Sequence, residues 1–258
     1  MTLAPFDAPA AIRINRARRA FLDRVVPDLI RHAGIETAID VGCGFGFFSG
    51  CLEEQGLRVT AVDGRAENAE EAARRHPRVD VKVYDVEDPS ITTLGRFDLV
   101  LSFGLLYHLE NPLRALRNIV ALTERVLILE TVIAPTTVPA AVLYEEDPGA
   151  DQGMNYIALI PSEPWLVKCL YCCGLRYVYR SRARPRHEDF HASIIRRRRR
   201  TVLVASRLPL DLPMLQPVPE PRTSRYLWDW VGTEFLPEGG RLRNIIRDSL
   251  RRMAVVQR

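Results

Sequence analysis

The stretch that decides the fold lies between residues 38 and 46 and reads AIDVGCGFG. The apolar residues Thr37–Val41 predict a first strand, and Phe47 begins the helix predicted to follow it. Glycines at such a strand-to-helix turn let the backbone bend sharply and let a ligand approach the main chain closely. The stretch therefore predicts a ligand-binding turn at the head of an α/β sheet.

The glycine spacing and one acidic residue indicate which ligand the turn binds. The pattern is G-x-G-x-G, and Phe47 stands where a dinucleotide site would have its last glycine. Asp40 precedes the glycines, where a carboxylate would repel a pyrophosphate but suit a ligand that carries an ammonium and a sulfonium group. The turn therefore favours S-adenosylmethionine over NAD.

Two further acids stand at the ends of the next two predicted strands. Asp63, followed by Gly64, ends the strand VTAVDG and stands where an acid accepts the ribose hydroxyls. Asp85 can accept from the adenine amine, and Val86 offers an apolar surface to the ring. The alternative is that these acids only cap helices or solvate loops.

Strands and helices alternate along the chain. Apolar strands that alternate with helices predict a parallel sheet covered on both sides. The predicted strands are 37–41, 58–62, 79–84, 97–103, 125–130, 176–183 and 201–207. The predicted helices are 12–32, 47–55, 66–76, 112–122, 162–173 and 241–255. The stretch from Pro135 to Pro161 is predicted to be irregular, and the prolines of 208–221 are expected to break any regular element. We divide the chain into an amphipathic helix (1–34), a core domain (35–207) and a helical appendage (208–258).

Composition limits the class of protein. The chain has 258 residues, 47% hydrophobic and 26% charged, which excludes collagen-like, coiled-coil and mostly disordered proteins. We expect no membrane span and no secretion signal. An odd count of five cysteines then favours reduced thiols and a cytoplasmic setting. Cys169, Cys172 and Cys173 lack a second ligand pair nearby, so we predict no metal site and expect them in the core.

Positive charge is concentrated near the end of the chain. Residues 161–258 hold 20 basic and 9 acidic residues, whereas the whole chain carries a net charge of +4. Arg196–Arg200 form an unbroken block. Such a block binds phosphates of RNA or an acidic small acceptor, or is simply solvated.

The motifs IDVGCGFGFFSGCLEEQG, VTAVDG, YDVED and FDLVLSFGLLYHLENP resemble those of class I S-adenosylmethionine-dependent methyltransferases. This resemblance covers about residues 35–207 and implies a Rossmann-like, doubly wound sheet of seven strands, mostly parallel with the last strand antiparallel. It also implies residue roles. Asp63 with Gly64 would hold the ribose, and Asp85 with Val86 the adenine. The methionine part would lie against Asp40, Gly42, Cys43, Gly44, Phe45, Gly46, Ser102, Phe103 and Gly104.

The stretches GLLYHLENPLRAL, LILET and NYIALIPS are also similar to the family that adds a carboxymethyl group to wobble uridine in transfer RNA, and to its small-molecule-modifying relatives. Because only about 35 residues precede the first motif, we favour plain methyl transfer to an oxygen or nitrogen of a small metabolite, such as a natural product or a sugar. The alternatives are a tRNA-modifying methyl or carboxymethyl transferase and a catalytically silent cofactor-binding partner.

Candidate catalytic and acceptor residues follow the fourth predicted strand. His108 has a pKa near neutrality that suits a general base, although it can equally be structural. Tyr107 would pack over the cofactor. The acidic stretch 144–156 falls where this fold builds an acceptor pocket, or it is solvated loop charge. Its candidate acceptor residues are Glu145, Glu146, Asp151, Asn155 and Tyr156.

Two further features lie in the last third of the chain. Residues 187–191 match H-E-x-x-H, a zinc protease pattern, but they fall in a predicted loop, so we interpret the match as accidental. His187 or His191 would touch the acceptor if the strand before them runs parallel to the sheet. The aromatic residues Trp228 and Trp230 fit a homodimer contact slightly better than a pocket cover.

Overall fold

A computed structural model describes residues 4–193 and 198–221 of the chain. In these ranges the strands are β1 (Thr37–Val41), β2 (Arg58–Asp63), β3 (Asp80–Val83), β4 (Phe97–Phe103), β5 (Thr123–Val132), β6 (Ala141–Glu145), β7 (Ile157–Pro161), β8 (Tyr177–Ser181), β9 (Arg200–Ser206) and β10 (Leu215–Pro217). The helices are α1 (Pro9–Ala33), α2 (Phe47–Glu54), α3 (Ala66–Arg75), α4 (Pro112–Leu122) and α5 (Glu163–Cys172).

The main sheet follows the order β10-β8-β9-β5-β4-β1-β2-β3 within the described residues. Strands β1 to β5 are parallel, and β9 pairs antiparallel with both β5 and β8. Strand β8 therefore runs in the same direction as the parallel strands. The predicted mostly parallel sheet with an antiparallel last strand is confirmed, and β10 adds one strand at its edge.

Strand β10 corrects the expectation that residues 208–221 hold no regular element. Leu215–Pro217 pairs antiparallel with β8. Prolines are tolerated there because the strand lies at the edge of the sheet, where a missing N–H leaves no ladder bond unmade.

The core lies on both faces of the sheet. Residues of α1, α2 and α3 pack on one face with side chains such as Leu99 and Ile128. Residues of α4 and α5 pack on the other face with the alternate positions, such as Val100 and Leu127. This alternation is the period of two that a strand imposes.

Helix α1 contains the predicted helix over 12–32. It begins with Pro9 in its first turn and ends at Ala33, and the capping residue Gly34 adopts a left-handed φ of 60°. Proline at the start and glycine just past the end are favourable positions for both residues. The buried stripe that includes Phe21, Val25 and Leu29 fixes this helix against the sheet.

The cysteines of α5 are less buried than predicted. Cys169 and Cys173 are half-buried, and Cys172 is exposed. Cys172 is therefore not a core residue, because its position on α5 faces away from the sheet contacts.

The stretch from Pro135 to Pro161 is not irregular throughout. Strands β6 and β7 form a separate antiparallel hairpin. The backbone N–H of Leu159 donates to the carbonyl of Leu109, which ties the hairpin to the segment after β4. The loop of this hairpin, residues 146–156, reaches the functional site.

None of the helices in the ranges 4–193 and 198–221 is long and apolar enough to cross a bilayer. The predicted helix over 241–255, Trp228, Trp230, Arg196 and Arg197 lie outside the described residues. The division of the chain at residues 34 and 207 stays a prediction.

Candidate active site

The glycine turn after β1 depends on backbone conformations that side chains disfavour. Gly42, Gly44 and Gly46 have φ values of 77°, 54° and 79°. A Cβ on Gly42 would lie 2.8 Å from Cδ1 of Leu105, so the position is crowded as well as left-handed. The sequence places glycine here because no other residue combines this φ with so close a contact.

Asp63 holds the turn in place from the end of β2. Its carboxylate accepts hydrogen bonds from the backbone N–H of Gly44 (2.9 Å), the backbone N–H of Arg65 (3.0 Å) and the side-chain amide of Asn68 (3.1 Å). Burial raises the pKa of Asp63, and these hydrogen bonds act against that rise.

A cleft opens at the carboxyl ends of β1, β2, β3 and β4. Ligands of open α/β sheets bind in this position. Of the predicted cofactor residues, those that line the cleft are Gly42, Gly44, Asp63, Gly64, Asp85, Val86 and Gly104. Asp151 and Asn155, which we predicted to touch the acceptor, line this cleft as well.

A second, larger cavity adjoins the first. The residues that line both cavities are Phe6, Gly42, Gly44, Gly104, His108, Asp151 and Gln152. Predicted residues that line the second cavity alone are Cys43, Phe45, Phe103, Tyr107 and Glu146. His187 also lines it, and β8 does run parallel to the first five strands, as that interpretation required.

Some predicted site residues line neither cavity as the structure describes them: Asp40, Gly46, Ser102, Glu145 and Tyr156. Gly46 instead packs against His76, 2.8 Å from where its Cβ would be. Ser102 is fully buried on β4, and its hydroxyl has no hydrogen-bond partner among the described residues. Roles for these residues in ligand binding stay predictions.

Asp40 lies beneath the surface of the site. It is 1% exposed, and the hydroxyl of Ser49 donates to its carboxylate at 2.6 Å. Burial raises the pKa of Asp40 to about 7, and the hydrogen bond from Ser49 only partly offsets this.

His108 stands at the border between the two cavities. It ends a short turn, Leu106–His108, and its Nδ1 is hydrogen-bonded to Oε1 of Glu146. Burial lowers the pKa of His108, while the Glu146 carboxylate acts in the opposite direction. The ring of Tyr107 lies 3.9 Å from the His108 ring, centre to centre.

Residues 146–156, which we name the covering segment, lie along one side of the cleft. Arg65 donates to the carbonyls of Gln152 (3.4 Å) and Gly153 (3.1 Å). The Sδ of Met154 lies 3.1 Å from where a Cβ on Gly64 would be. The segment thus contacts the residues that follow Asp63.

A buried ionic cluster that the sequence did not reveal lies beside Gly104. Glu130, fully buried on β5, accepts from Nη2 of Arg18 at 2.6 Å and from Nη1 of Arg200 at 3.1 Å. Arg200 also donates to the Tyr107 hydroxyl at 3.1 Å. Burial disfavours the charge of Arg200, but Glu130 outweighs it, so the pKa of Arg200 is raised.

Arg18 lines the second cavity beside Gly104, a residue that lines both cavities. Its Nη2 lies 3.4 Å from where a Cβ on Gly104 would be. The residue is 6% exposed, and its Nε has no hydrogen-bond partner among the residues that the structure describes. An unmet donor on a buried guanidinium is costly, so a hydrogen-bond acceptor that reached this donor would be stabilising.

The H-E-x-x-H match has no metalloprotease geometry. Residues Glu188–Phe190 form one 3-10 turn in the loop between β8 and β9, instead of a helix with both imidazoles on one face. His187 Nδ1 faces the Asp189 carboxylate at 3.7 Å, and His191 Nε2 contacts the carbonyl of Pro185 at 3.0 Å.

Comparison with known proteins agrees with this geometry. A family model described as "Methyltransferase domain" matches residues 39–126. Among curated proteins, the chain is similar to a ubiquinone biosynthesis O-methyltransferase of Xanthomonas campestris, with 36% identity over 91 residues. This match covers 33% of the chain and 38% of that relative.

Solved structures share the fold. The N-terminal domain of EvdMO1 with S-adenosylhomocysteine bound aligns with a TM-score of 0.57 and 22% identity, over 75% of this chain and 80% of that one. Magnesium protoporphyrin IX methyltransferase from Synechocystis aligns with a TM-score of 0.53 and 18% identity, over 78% of this chain and 88% of that one. At these identities the likeness shows the Rossmann-like fold alone.

Proposed function

We propose that this chain, which carries a class I S-adenosylmethionine-dependent methyltransferase domain, moves a methyl group to an oxygen or nitrogen of a small-molecule acceptor. The curated relative is matched over only part of its length, so the activity of the whole protein is itself part of the proposal. We propose three things in addition to the domain: the atom that is methylated, the class of acceptor and the role of His108.

One observation carries the proposal: His108 and Gly104 line both the cleft and the second cavity. A ligand in the first and an acceptor in the second would meet at this border. Transfer between two bound molecules needs such a border, because the reacting atoms must approach to about 3 Å with the right orientation.

The residues at the cleft fit S-adenosylmethionine. Asp63 and Asp85, which line the cleft, would accept from the ribose hydroxyls and from the adenine amine, and buried Val86 would offer the ring an apolar surface. The methionine carboxylate would be paired by the guanidinium of Arg18, which lies beside Gly104. When bound, this cofactor supplies an electrophilic methyl group.

The chain's own residues then handle the proton. A carboxylate only accepts hydrogen bonds, so Nδ1 of His108 carries the ring proton that points at Glu146. Nε2 is left to accept the proton of an acceptor hydroxyl or ammonium. Burial lowers the pKa of His108, which keeps the ring neutral and able to accept at pH 7.

The acceptor cavity suits a small molecule with an apolar part. Its wall includes the rings of Phe45, Phe47, Phe48 and Phe103. The curated relative, a ubiquinone biosynthesis O-methyltransferase, is named for transfer to oxygen, which supports an oxygen acceptor on a small metabolite.

The arginine block gives less support to an RNA acceptor. Arg198 forms an ion pair with Glu163, and Arg200 forms one with Glu130, so both charges are compensated by acids of the protein itself. Of the described members of the block, only Arg199 is exposed. Transfer RNA modification is therefore the alternative outcome of the test below.

The test is incubation of the purified chain with S-adenosylmethionine labelled in its methyl group and with a cell extract. We expect label in the small-molecule fraction, insensitive to ribonuclease. His108→Asn should lower the rate at saturating cofactor by about 10²- to 10⁴-fold, which is the usual contribution of a general base. His32→Asn, an exposed histidine on α1, is the matched control.

Label in the RNA fraction would establish the alternative. No transfer to any fraction, with cofactor binding intact, would identify a catalytically silent binding protein. Equal rates for His108→Asn and the wild type would remove the base role from His108.

A further inference from the structure

We propose that Glu146 is a positioning residue that couples the covering segment, residues 146–156, to His108. When the segment lies over the cofactor cleft, Glu146 holds the imidazole proton on Nδ1 and leaves Nε2 free toward the acceptor. The inference rests on the proposed function, in which His108 is the base.

The first support is that both carboxylate oxygens of Glu146 are already bonded to groups of the protein. Its side chain is 2% exposed. Oε1 contacts Nδ1 of His108, and Oε2 accepts from the backbone N–H of Gly153 at 2.7 Å. One carboxylate thus joins the imidazole to the covering segment. In this proposal Glu146 acts through His108, and the direct acceptor contact that the sequence suggested for Glu146 stays a prediction.

The second support is that the segment also contacts the cofactor residues. The side-chain amide of Asn68 donates to Oδ1 of Asp63 at 3.1 Å and to the carbonyl of Ala150 at 3.3 Å. Arg65 donates to two further carbonyls of the segment. A ligand that hydrogen-bonds to Asp63 therefore affects the same contacts of Asn68 and Arg65 that hold the covering segment in place.

The third support is that the covering segment packs closely against His108. A Cβ on Gly153 would lie 2.1 Å from the carbonyl oxygen of His108 and 2.9 Å from Oε2 of Glu146. The base of the segment is closed by a 2.8 Å hydrogen bond from the N–H of Glu146 to the carbonyl of Tyr156. Tyr156 adopts a left-handed φ of 56°, a strained conformation that persists only where its surroundings impose it.

The chemistry of the pair requires a carboxylate. The N–H of Gly153 and the Nδ1–H of His108 are both donors, and a carboxylate accepts from both. A glutamine has one acceptor and one donor group. Its oxygen would keep the Gly153 bond, and its amide would donate to Nδ1. Glu146→Gln is therefore expected to move the ring proton of His108 to Nε2.

The experiment reads the tautomer of His108 in the full-length chain by long-range ¹H–¹⁵N correlation spectra, with and without S-adenosylhomocysteine. The His108 signals are assigned by their loss in His108→Asn. In the wild type we expect the Nδ1–H form to dominate with ligand bound. In Glu146→Gln we expect the Nε2–H form, with ligand affinity by calorimetry within about threefold of the wild type, because Glu146 lies away from the ligand.

A pair of glycine variants tests the coupling without changing an ionisable group. Gly153→Ala should unseat the covering segment, weaken S-adenosylhomocysteine binding by about tenfold, and abolish the response of His108 to the ligand. Gly149→Ala lies in the same segment. A Cβ there would lie 2.9 Å from Oδ1 of Asp151 and 3.1 Å from Cγ of Gln152, side-chain atoms that can shift, so Gly149→Ala should disturb the segment much less than Gly153→Ala does.

The inference is overturned if the His108 tautomer is the same in the wild type and Glu146→Gln. It is also overturned if the ligand leaves the His108 signals unchanged, or if Gly153→Ala and Gly149→Ala behave alike. If Glu146→Gln fails to fold, the comparison of Gly153→Ala with Gly149→Ala tests the inference in its place. These outcomes leave ligand binding and methyl transfer as separate readouts, so the proposed function can stand when the coupling fails.

Discussion

Arg18 shows what a sequence cannot reveal about single residues. Its functional partner, Glu130, lies 112 positions further along the chain, and a lone arginine on an amphipathic helix looks like an ordinary exposed residue. Only the fold brings the two together beside Gly104. By contrast, Asp63 and Asp85 were predictable, because a strand end next to a recognisable turn fixes their place.

Arg18→Gln should weaken the binding of S-adenosylhomocysteine by about 10- to 100-fold, the effect of losing a charge-assisted hydrogen bond to the carboxylate. It should leave 5′-methylthioadenosine binding unchanged, because that nucleoside has no carboxylate. Titration calorimetry with both ligands measures the difference. Arg24→Gln, an exposed change on the same helix, is the control. Equal losses for both ligands would indicate a general disturbance of the site.

Asp40 gives a prediction about stability and pH. Burial raises the pKa of Asp40 to about 7 in the native protein, well above the ordinary value of an aspartate, so the native protein holds this proton more tightly than the unfolded chain does. The contribution of Asp40 to stability is therefore complete below about pH 4 and is lost as the pH rises through 7.

Asp40→Asn keeps an oxygen that can accept from Ser49 and removes the buried charge. It should raise the free energy of unfolding at pH 8 by a few kcal/mol, about 4 at most, and should change it little at pH 4. Urea unfolding at the two pH values measures this. Asp80→Asn, at the exposed start of β3, should show no comparable pH dependence. A gain that is the same at both pH values would contradict the assignment.

At the scale of elements, the strands and helices of the core domain followed from periodicity, but the β6–β7 hairpin did not. Its strands are five residues long, lie outside the main sheet, and expose apolar residues such as Val142, Leu143 and Tyr144. An exposed apolar strand between prolines lacks the alternation that marks a half-buried strand. The position of the covering segment was therefore not predictable.

The glycine turn is the element whose geometry can be tested alone. Gly42→Ala combines a left-handed φ with a 2.8 Å contact to Leu105, whereas Gly56→Ala has a φ of 88° and nothing within 4 Å. Strain alone should cost Gly56→Ala about 1 kcal/mol of unfolding free energy. Gly42→Ala should cost about 2 kcal/mol more and abolish measurable cofactor binding. Similar losses in urea unfolding for both variants would contradict a packed turn.

At the scale of the whole molecule, the parallel strands place their carboxyl ends on one edge, and the cleft lies there. That these strands run parallel was predicted from apolar runs that alternate with helices, but their order in the sheet was not predicted. The edge strand β10 was not predicted, because the prolines within and around it argue against a strand. The second cavity was not predictable either, since residues from α1, the hairpin and the segment before β9 meet only in the folded chain.

The most direct test of the central claim is titration calorimetry of the full-length chain with S-adenosylhomocysteine and, separately, with NADH. The account predicts saturable uptake of S-adenosylhomocysteine and no heat with NADH. It also predicts that Asp63→Asn weakens that uptake by at least about tenfold, while Asp80→Asn leaves it unchanged. Saturable binding of NADH with no heat from S-adenosylhomocysteine would contradict the account.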